Sequence, residues 1–225
     1  MAPTPRRALD LCTGQGSIER YFRAKGFDDI VTLDIDPKSN ATHTVDIMLW
    51  DYKAAYPVGW FDVIWGSPPC THFSRARTTG GPRDLVTANA IVKKVIEIIS
   101  YFRPNTYCIE NPWCGMLKEQ DYMYMLPMVR ADYCMYNTPP DDVYLYQKKS
   151  AFWVNNIKVL ADPPKICDGA CLGIQTPVPG AGPNRKTHAV SFGGRRSATR
   201  FLLKSNIGLH VKHRVPAALI DKLLS

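Results

Sequence analysis

Apolar residues in the first half of the chain alternate between short continuous runs and longer stretches at helical spacing. Ala8–Cys12 is apolar around a single acid and opens into Thr13-Gly14-Gln15-Gly16-Ser17, which predicts a strand followed by a tight turn. Ser17 suits the start of a helix that runs to Lys25 and stops at Gly26. Ile30–Leu33 reads as a second strand, ending in Asp34 and Asp36. Phe61–Trp65 reads as a third, closed by Gly66-Ser67-Pro68-Pro69, where two prolines forbid continuation. Leu85, Ile91, Val95, Ile98, Ile99 and Phe102 fall largely on one face at helical spacing and predict a long helix that Pro104 ends. Tyr107–Ile109 is a fourth strand, running into Glu110-Asn111-Pro112. Repeated strand–helix–strand units imply an α/β fold in which helices cover both faces of a parallel sheet.

Past Asn156 the texture changes. Residues 161–196 hold Pro163, Pro164, Pro177, Pro179 and Pro183 among several glycines, with no sustained periodicity. The chain therefore divides into a main α/β unit (1–156), a short loop-rich insert (157–212) and a tail (213–225). The tail is apolar at helical spacing over Val215–Leu224 and is expected to pack back on the main unit as a helix.

Composition sharpens this picture in three ways. With 225 residues, 45 % of them hydrophobic, the chain can bury one sizeable core. No run reaches the roughly 18 uncharged apolar residues of a membrane span, since Ala90–Phe102 is broken by Lys93, Lys94 and Glu97. The amino terminus holds no apolar stretch of signal-peptide type, so an intracellular location is expected, with the seven cysteines reduced. Charge is the third. Residues 1–156 carry 17 Lys+Arg against 17 Asp+Glu, while residues 157–225 carry 11 against 3, so the whole net charge of +8 lies in the last third. Such a basic segment points to a polyanionic partner, nucleic acid above all.

In a doubly wound sheet, ligands collect at the carboxyl ends of the strands. Gly14 and Gly16 let the backbone approach a ligand just before a helix amino terminus, although a plain tight turn would use the same residues. Asp34, twenty residues after Gly14, stands where an acid can receive ribose hydroxyls. Cys70 lies just beyond a proline-fixed turn, with Arg75 and Arg77 nearby to favour a nucleophilic thiolate. A buried structural cysteine is the alternative. Glu110, leaving an apolar strand, should be partly desolvated and able to hold or share a proton. Cys70 and Glu110 together offer a nucleophile and an acid on adjacent strand ends.

Asp10-Leu11-Cys12-Thr13-Gly14-Gln15-Gly16, Pro69-Cys70, Phe73-Ser74, Glu110-Asn111 and Gln147-Lys148-Lys149 resemble, in order and approximate spacing, the DNA cytosine-5 methyltransferases, and within them the compact phage- or virus-type members. The resemblance covers residues 6–156 and, weakly, the tail from His213 to Leu224. It implies a Rossmann-like fold dependent on S-adenosylmethionine, with Cys70 adding to cytosine C6 and Glu110 acting at N3, supported by Asn111 and Lys149. It implies that Asp10, Cys12, Gly14, Gly16, Asp34, Ile35, Asp46, Ser67 and Pro69 surround the cofactor. It makes the insert a small target-recognition region on double-stranded DNA, with Arg195, Arg196 and Arg200 as contacts, and gives the loop Thr71–Pro82 the phosphate contacts Arg75 and Arg77, in a protein expected to be a monomer. Three positions depart from the family pattern: Cys12 and Ile35 stand where aromatics are usual, and Ala151 replaces an arginine for which either Lys149 or another arginine, Arg195 or Arg196, substitutes. RNA as acceptor, or an inactive nucleic-acid-binding module of the same fold, are the competing readings. Cys167, Cys171 and His188 do not match a common structural-zinc spacing, and no metal is expected.

Overall fold

The computed structural model describes residues 5–75, 77, 81–136, 148–168 and 214–225, and the backbone of two short strands at 175–177 and 186–188. Its elements are β1 (Arg7–Leu11), α1 (Ser17–Ala24), β2 (Asp29–Asp34), β3 (His43–Thr44), α2 (Tyr52–Ala55), β4 (Val63–Gly66), α3 (Leu85–Phe102), β5 (Thr106–Pro112), β6 (Met128–Asp132), β7 (Lys149–Val154), α4 (Ile157–Ala161), β8 (Gln175–Pro177), β9 (Lys186–His188) and α5 (Ala217–Leu224). Seven strands form one sheet in the order β3-β2-β1-β4-β5-β7-β6. Strands β3, β2, β1, β4 and β5 pair in parallel, whereas β7 runs antiparallel to both β5 and β6. The parallel strands and their helices form the α/β arrangement that the strand–helix alternation predicts and the Rossmann-like fold that the resemblance implies; the sheet is not parallel throughout, because β7 enters it antiparallel between β5 and β6.

Alternation along the strands divides the core into two layers. Leu9, Leu11, Ile64 and Ile109 face α3 and pack with Val92, Val95, Ile98 and Phe102. Ala8, Trp65, Cys108 and Phe152 face the other way, against Ile18 and Phe22 of α1 and Leu219, Ile220 and Leu223 of α5. The tail helix returns to the main unit as expected, and it is pinned by Tyr21, whose hydroxyl donates to Asp221 at 2.7 Å, and by Lys25, 2.6 Å from the same carboxylate. Gly66 ends β4 where a Cβ would stand 2.8 Å from Val95 Cγ1, so only glycine lets α3 lie this close to the sheet.

The structure corrects several expectations. Cys12 is not the last residue of β1: it leaves the strand with φ 59°. β5 does not stop at Ile109 but carries Glu110, Asn111 and Pro112 within the sheet. β3, β6 and β7 have no counterpart in the sequence-based assignment, and the insert holds a two-stranded ladder of β8 and β9.

Candidate active site

The strand order reverses between β1 and β4, opening a crevice at the carboxyl ends of these strands. Four of the sequence-predicted elements meet on that edge. Beyond β1, Cys12 and Gly14 adopt left-handed backbone (φ 59° and 53°), and Gly16, also left-handed, caps α1. Gly14 N–H donates to Asp34 Oδ2 at 2.8 Å, and Asp36 N–H donates to Oδ1 at 2.9 Å. Asp34 therefore ties the glycine turn to the end of β2, and each of its oxygens keeps a lone pair for a ligand hydroxyl. Asp46 Oδ1 accepts from Met48 N–H at 2.9 Å, and Ile35 stands 67 % exposed beside Asp34.

Asp10 is fully buried at the end of β1. Thr13 Oγ1 donates to its Oδ2 at 2.6 Å, while Oδ1 has no partner among the described residues. Burial, reinforced by the Glu19 and Asp34 carboxylates and opposed by Thr13, lifts the Asp10 carboxyl to about 7. Burial together with Asp34, Asp10 and Asp46 also pushes the Cys12 thiol up to about 12, so three carboxylates act on this one thiol. Such a cluster suits a cationic ligand.

Asp10 also has a consequence for stability. The folded chain holds its proton more tightly than the unfolded chain, so Asp10 favours folding below about pH 4 and opposes it progressively as pH rises through 7. Asp10→Asn, a mimic of the protonated form, is expected to raise Tm by several degrees at pH 8 and hardly at all at pH 4. Thermal unfolding at the two pH values measures this, and equal shifts at both would exclude a titrating Asp10.

Cys70 and Glu110 lie on the neighbouring strand ends β4 and β5. Asn111, buried, donates its Nδ2–H to Pro68 O at 3.0 Å and so clamps the proline turn that carries Cys70 to β5. Ser67, in the same turn, accepts from Trp65 Nε1 at 2.9 Å and donates its N–H to Leu11 O at 3.0 Å. Pro69 completes the turn. Glu110 is buried, yet its surroundings are polar: Ser150 Oγ donates to Oε1 at 2.7 Å, and Lys148 Nζ lies 3.3 Å from the same oxygen. Burial and the Glu110 carboxylate raise the Cys70 thiol above its ordinary value, while the Lys148 ammonium pulls it down. One cation thus serves both groups.

That cation is Lys148, a residue to which sequence reasoning assigned no role. Successive side chains of an extended segment point to opposite faces, so the positions that reach Glu110 are 148 and 150. Lys149 instead uses its carbonyl to accept from Trp113 N–H at 2.9 Å. Sequence reasoning missed Lys148, Ser150 and Tyr133 because it did not foresee β7. An antiparallel strand begins at the edge where its parallel neighbours end, which brings residues 148–150 to Glu110. The only signal in the sequence was the apolar run Ala151–Val154 directly after the two lysines.

The loop after Cys70 is internally paired. Arg75 forms a two-oxygen ion pair with Glu119 at 2.8 and 2.6 Å, and Arg77 Nη1 lies 3.2 Å from His72 Nδ1. Arg195, Arg196, Arg200 and Cys171 lie outside the described residues, as does the His188 side chain. Among the described residues no group of three or more His, Cys, Asp or Glu is arranged to hold a metal ion.

Residues 6–126, more than half of the chain, match the family model for C-5 cytosine-specific DNA methylase. The "Probable DNA (cytosine-5)-methyltransferase" of Frog virus 3 (isolate Goorha) is 30 % identical over 233 residues, spanning 97 % of this chain and 98 % of that protein. The type II methyltransferase M.AgeI of Thalassovita gelatinovora is 26 % identical over 161 residues, spanning 59 % of this chain and 37 % of that one. Among solved structures, an E. coli prophage protein described as a DNA modification methyltransferase gives a TM-score of 0.47 at 18 % identity, over 66 % of this chain and 46 % of that one. The family match, together with the viral relative aligned along nearly the whole of both sequences, establishes that this chain belongs to the C-5 cytosine-specific DNA methylase family.

Proposed function

We propose that the chain methylates cytosine at C5 in double-stranded DNA through a covalent bond between Cys70 and C6. The observation that carries this reading is the placement of Cys70 and the buried Glu110 on adjacent strand ends, with Lys148 acting on both.

Cytosine C5 is a weak nucleophile until a group adds at C6. The Cys70 sulfur forms the bond to C6, and the C5=C6 π electrons shift towards C5 and the N3–C2–O2 system. Glu110 hydrogen-bonds or protonates N3, so the charge that develops there is neutralised. Glu110 and Cys70 are suited to act in concert. The Glu110 carboxylate disfavours a neighbouring thiolate and the Lys148 ammonium favours it, so engagement of Glu110 with N3 draws its charge away from the sulfur as the bond to C6 forms. After transfer, N3 returns its proton to Glu110, C5 loses its proton to solvent, the C5=C6 bond re-forms and Cys70 leaves C6 as a thiolate.

S-adenosylmethionine, when bound, supplies the methyl group. This chain's residues fit it. The glycine turn leaves space at Gly14, the three carboxylates around Cys12 suit its sulfonium and ammonium charges, and Asp10 Oδ1 lacks a partner among the described residues. Asp10, Gly14 and Gly16 would hold the methionine part and Asp34 the ribose. Asp46 would take the adenine amino group, with Ile35 packing against the ring and Cys12, Ser67 and Pro69 completing the wall.

A base within the stack hides C6, so the target cytosine must be flipped out, at a cost of a few kcal/mol. The loop from Thr71 to Pro82 would close over it, with Arg75 and Arg77 contacting phosphates; Arg75 would exchange Glu119 for phosphate. The basic insert, with Arg195, Arg196 and Arg200, is assigned to the DNA groove. The test is nucleoside mass spectrometry after incubation with labelled S-adenosylmethionine and duplex DNA, single-stranded DNA or RNA. Labelled 5-methylcytosine in duplex DNA is expected. Label confined to RNA would change the acceptor, and no label with no cofactor binding by calorimetry would leave an inactive binding module.

A further inference from the structure

The donors around Glu110 converge on a single atom. Ser150 Oγ donates to Oε1 at 2.7 Å, the Tyr133 hydroxyl reaches the same oxygen at 3.4 Å, and Lys148 Nζ stands 3.3 Å from it. No donor among the described residues reaches Oε2. We propose that Ser150, Tyr133 and Lys148 are positioning residues that hold Glu110 by Oε1 and reserve Oε2 as the oxygen that gives and takes the proton at cytosine N3. This inference rests on the roles proposed above for Cys70 and Glu110.

The physical reason is directional. A proton on Oε1 would face the hydrogens of Ser150 and Lys148, whereas Oε1 as a carbonyl oxygen or a carboxylate oxygen accepts from both. The three donors therefore favour a proton on Oε2 over one on Oε1. Each is itself held in place. Ser150 is buried in β7, diagonally across the antiparallel register from Glu110. Tyr133 is buried as well, and burial together with the Glu110 charge pushes its phenol far up, so it remains a donor. Lys148, 14 % exposed, lies 4.8 Å above the Tyr133 ring, which keeps the ammonium beside the carboxyl.

The experiment uses duplex DNA carrying tritium at cytosine C5. Addition of Cys70 at C6 lets C5 take a proton from water, and departure of the thiol with loss of the original hydrogen releases tritium, independently of methyl transfer. Ser150→Ala is expected to slow both tritium release and methyl transfer by about 10–100-fold, the scale of lost outer-shell hydrogen bonds. KM for DNA should stay within about twofold, and Ser150→Thr should restore most of the rate. In a Glu110→Gln background, Ser150→Ala should cost little more, because it acts only through Glu110. An equal cost in both backgrounds, or wild-type rates in Ser150→Ala, would overturn the inference while leaving the roles of Cys70 and Glu110 standing. Should alanine at 150 unfold the chain, Tyr133→Phe, which removes only a hydroxyl, takes its place under the same criteria. Absence of tritium release from the wild-type protein would instead count against the Cys70 addition itself.

Discussion

Cys70→Ala is expected to lower methyl transfer by on the order of 10⁴-fold or more while leaving duplex DNA binding within a few-fold of wild type. No other group described at the site can replace the sulfur as the atom that adds to C6. The neighbouring oxygens of Glu110 belong to a carboxylate held by Ser150 and Lys148. Folding should be little affected, because the turn is anchored by the Asn111 bond to Pro68 O and by Ser67, not by the thiol. A single-turnover assay with both variants measured at saturating cofactor decides it, and methylation above a tenth of wild type would remove Cys70 as the nucleophile. The wild-type rate should also rise with pH above neutrality, since burial and Glu110 hold the thiol above its ordinary value and the thiolate is the reactive form. Lys148→Met removes an ammonium that favours the thiolate, so that rising limb should move to higher pH.

Glu110→Gln is the second large effect, with an expected loss of about 10²–10⁴-fold in kcat, the range for a positioned acid or base. Glutamine keeps the shape and an acceptor for Ser150, so the loss reflects the missing proton rather than a collapsed site. The same substitution should move the Cys70 thiol in the opposite sense from activity. Removing the carboxylate removes one of the causes that raise it, so thiol alkylation should become faster at neutral pH even as methyl transfer falls. Alkylation kinetics with a small reagent, alongside the transfer assay, separates the two. A variant with slower alkylation, or with full transfer activity, would show that Glu110 does not act on the Cys70 site as argued.

These two residues were legible without coordinates because each sits where a short apolar run meets a turn signal. Pro68-Pro69 marks the end of β4 just before Cys70, and the apolar Tyr107–Ile109 leads straight to Glu110. The glycine turn and Asp34 were legible for the same reason, and the structure joins them by the 2.8 Å bond from Gly14 N–H. The strand boundaries were less so. Glu110 and Asn111 belong to β5 because Ala151 and Phe152 of β7 pair with them, and a partner strand forty residues away leaves no local trace.

What the sequence by itself determined is the alternating α/β unit, its basic final third and the residues at four strand ends, since period, punctuation and charge are local properties of the chain. Only the tertiary structure brought Lys148, Ser150 and Tyr133 to Glu110. It also showed that Asp10 is buried with one oxygen that has no partner among the described residues. Those outcomes depend on pairing across the sheet: an antiparallel β7 brings its first residues to the edge where β5 ends, and strand alternation then sends Lys148 and Ser150, rather than Lys149, towards Glu110.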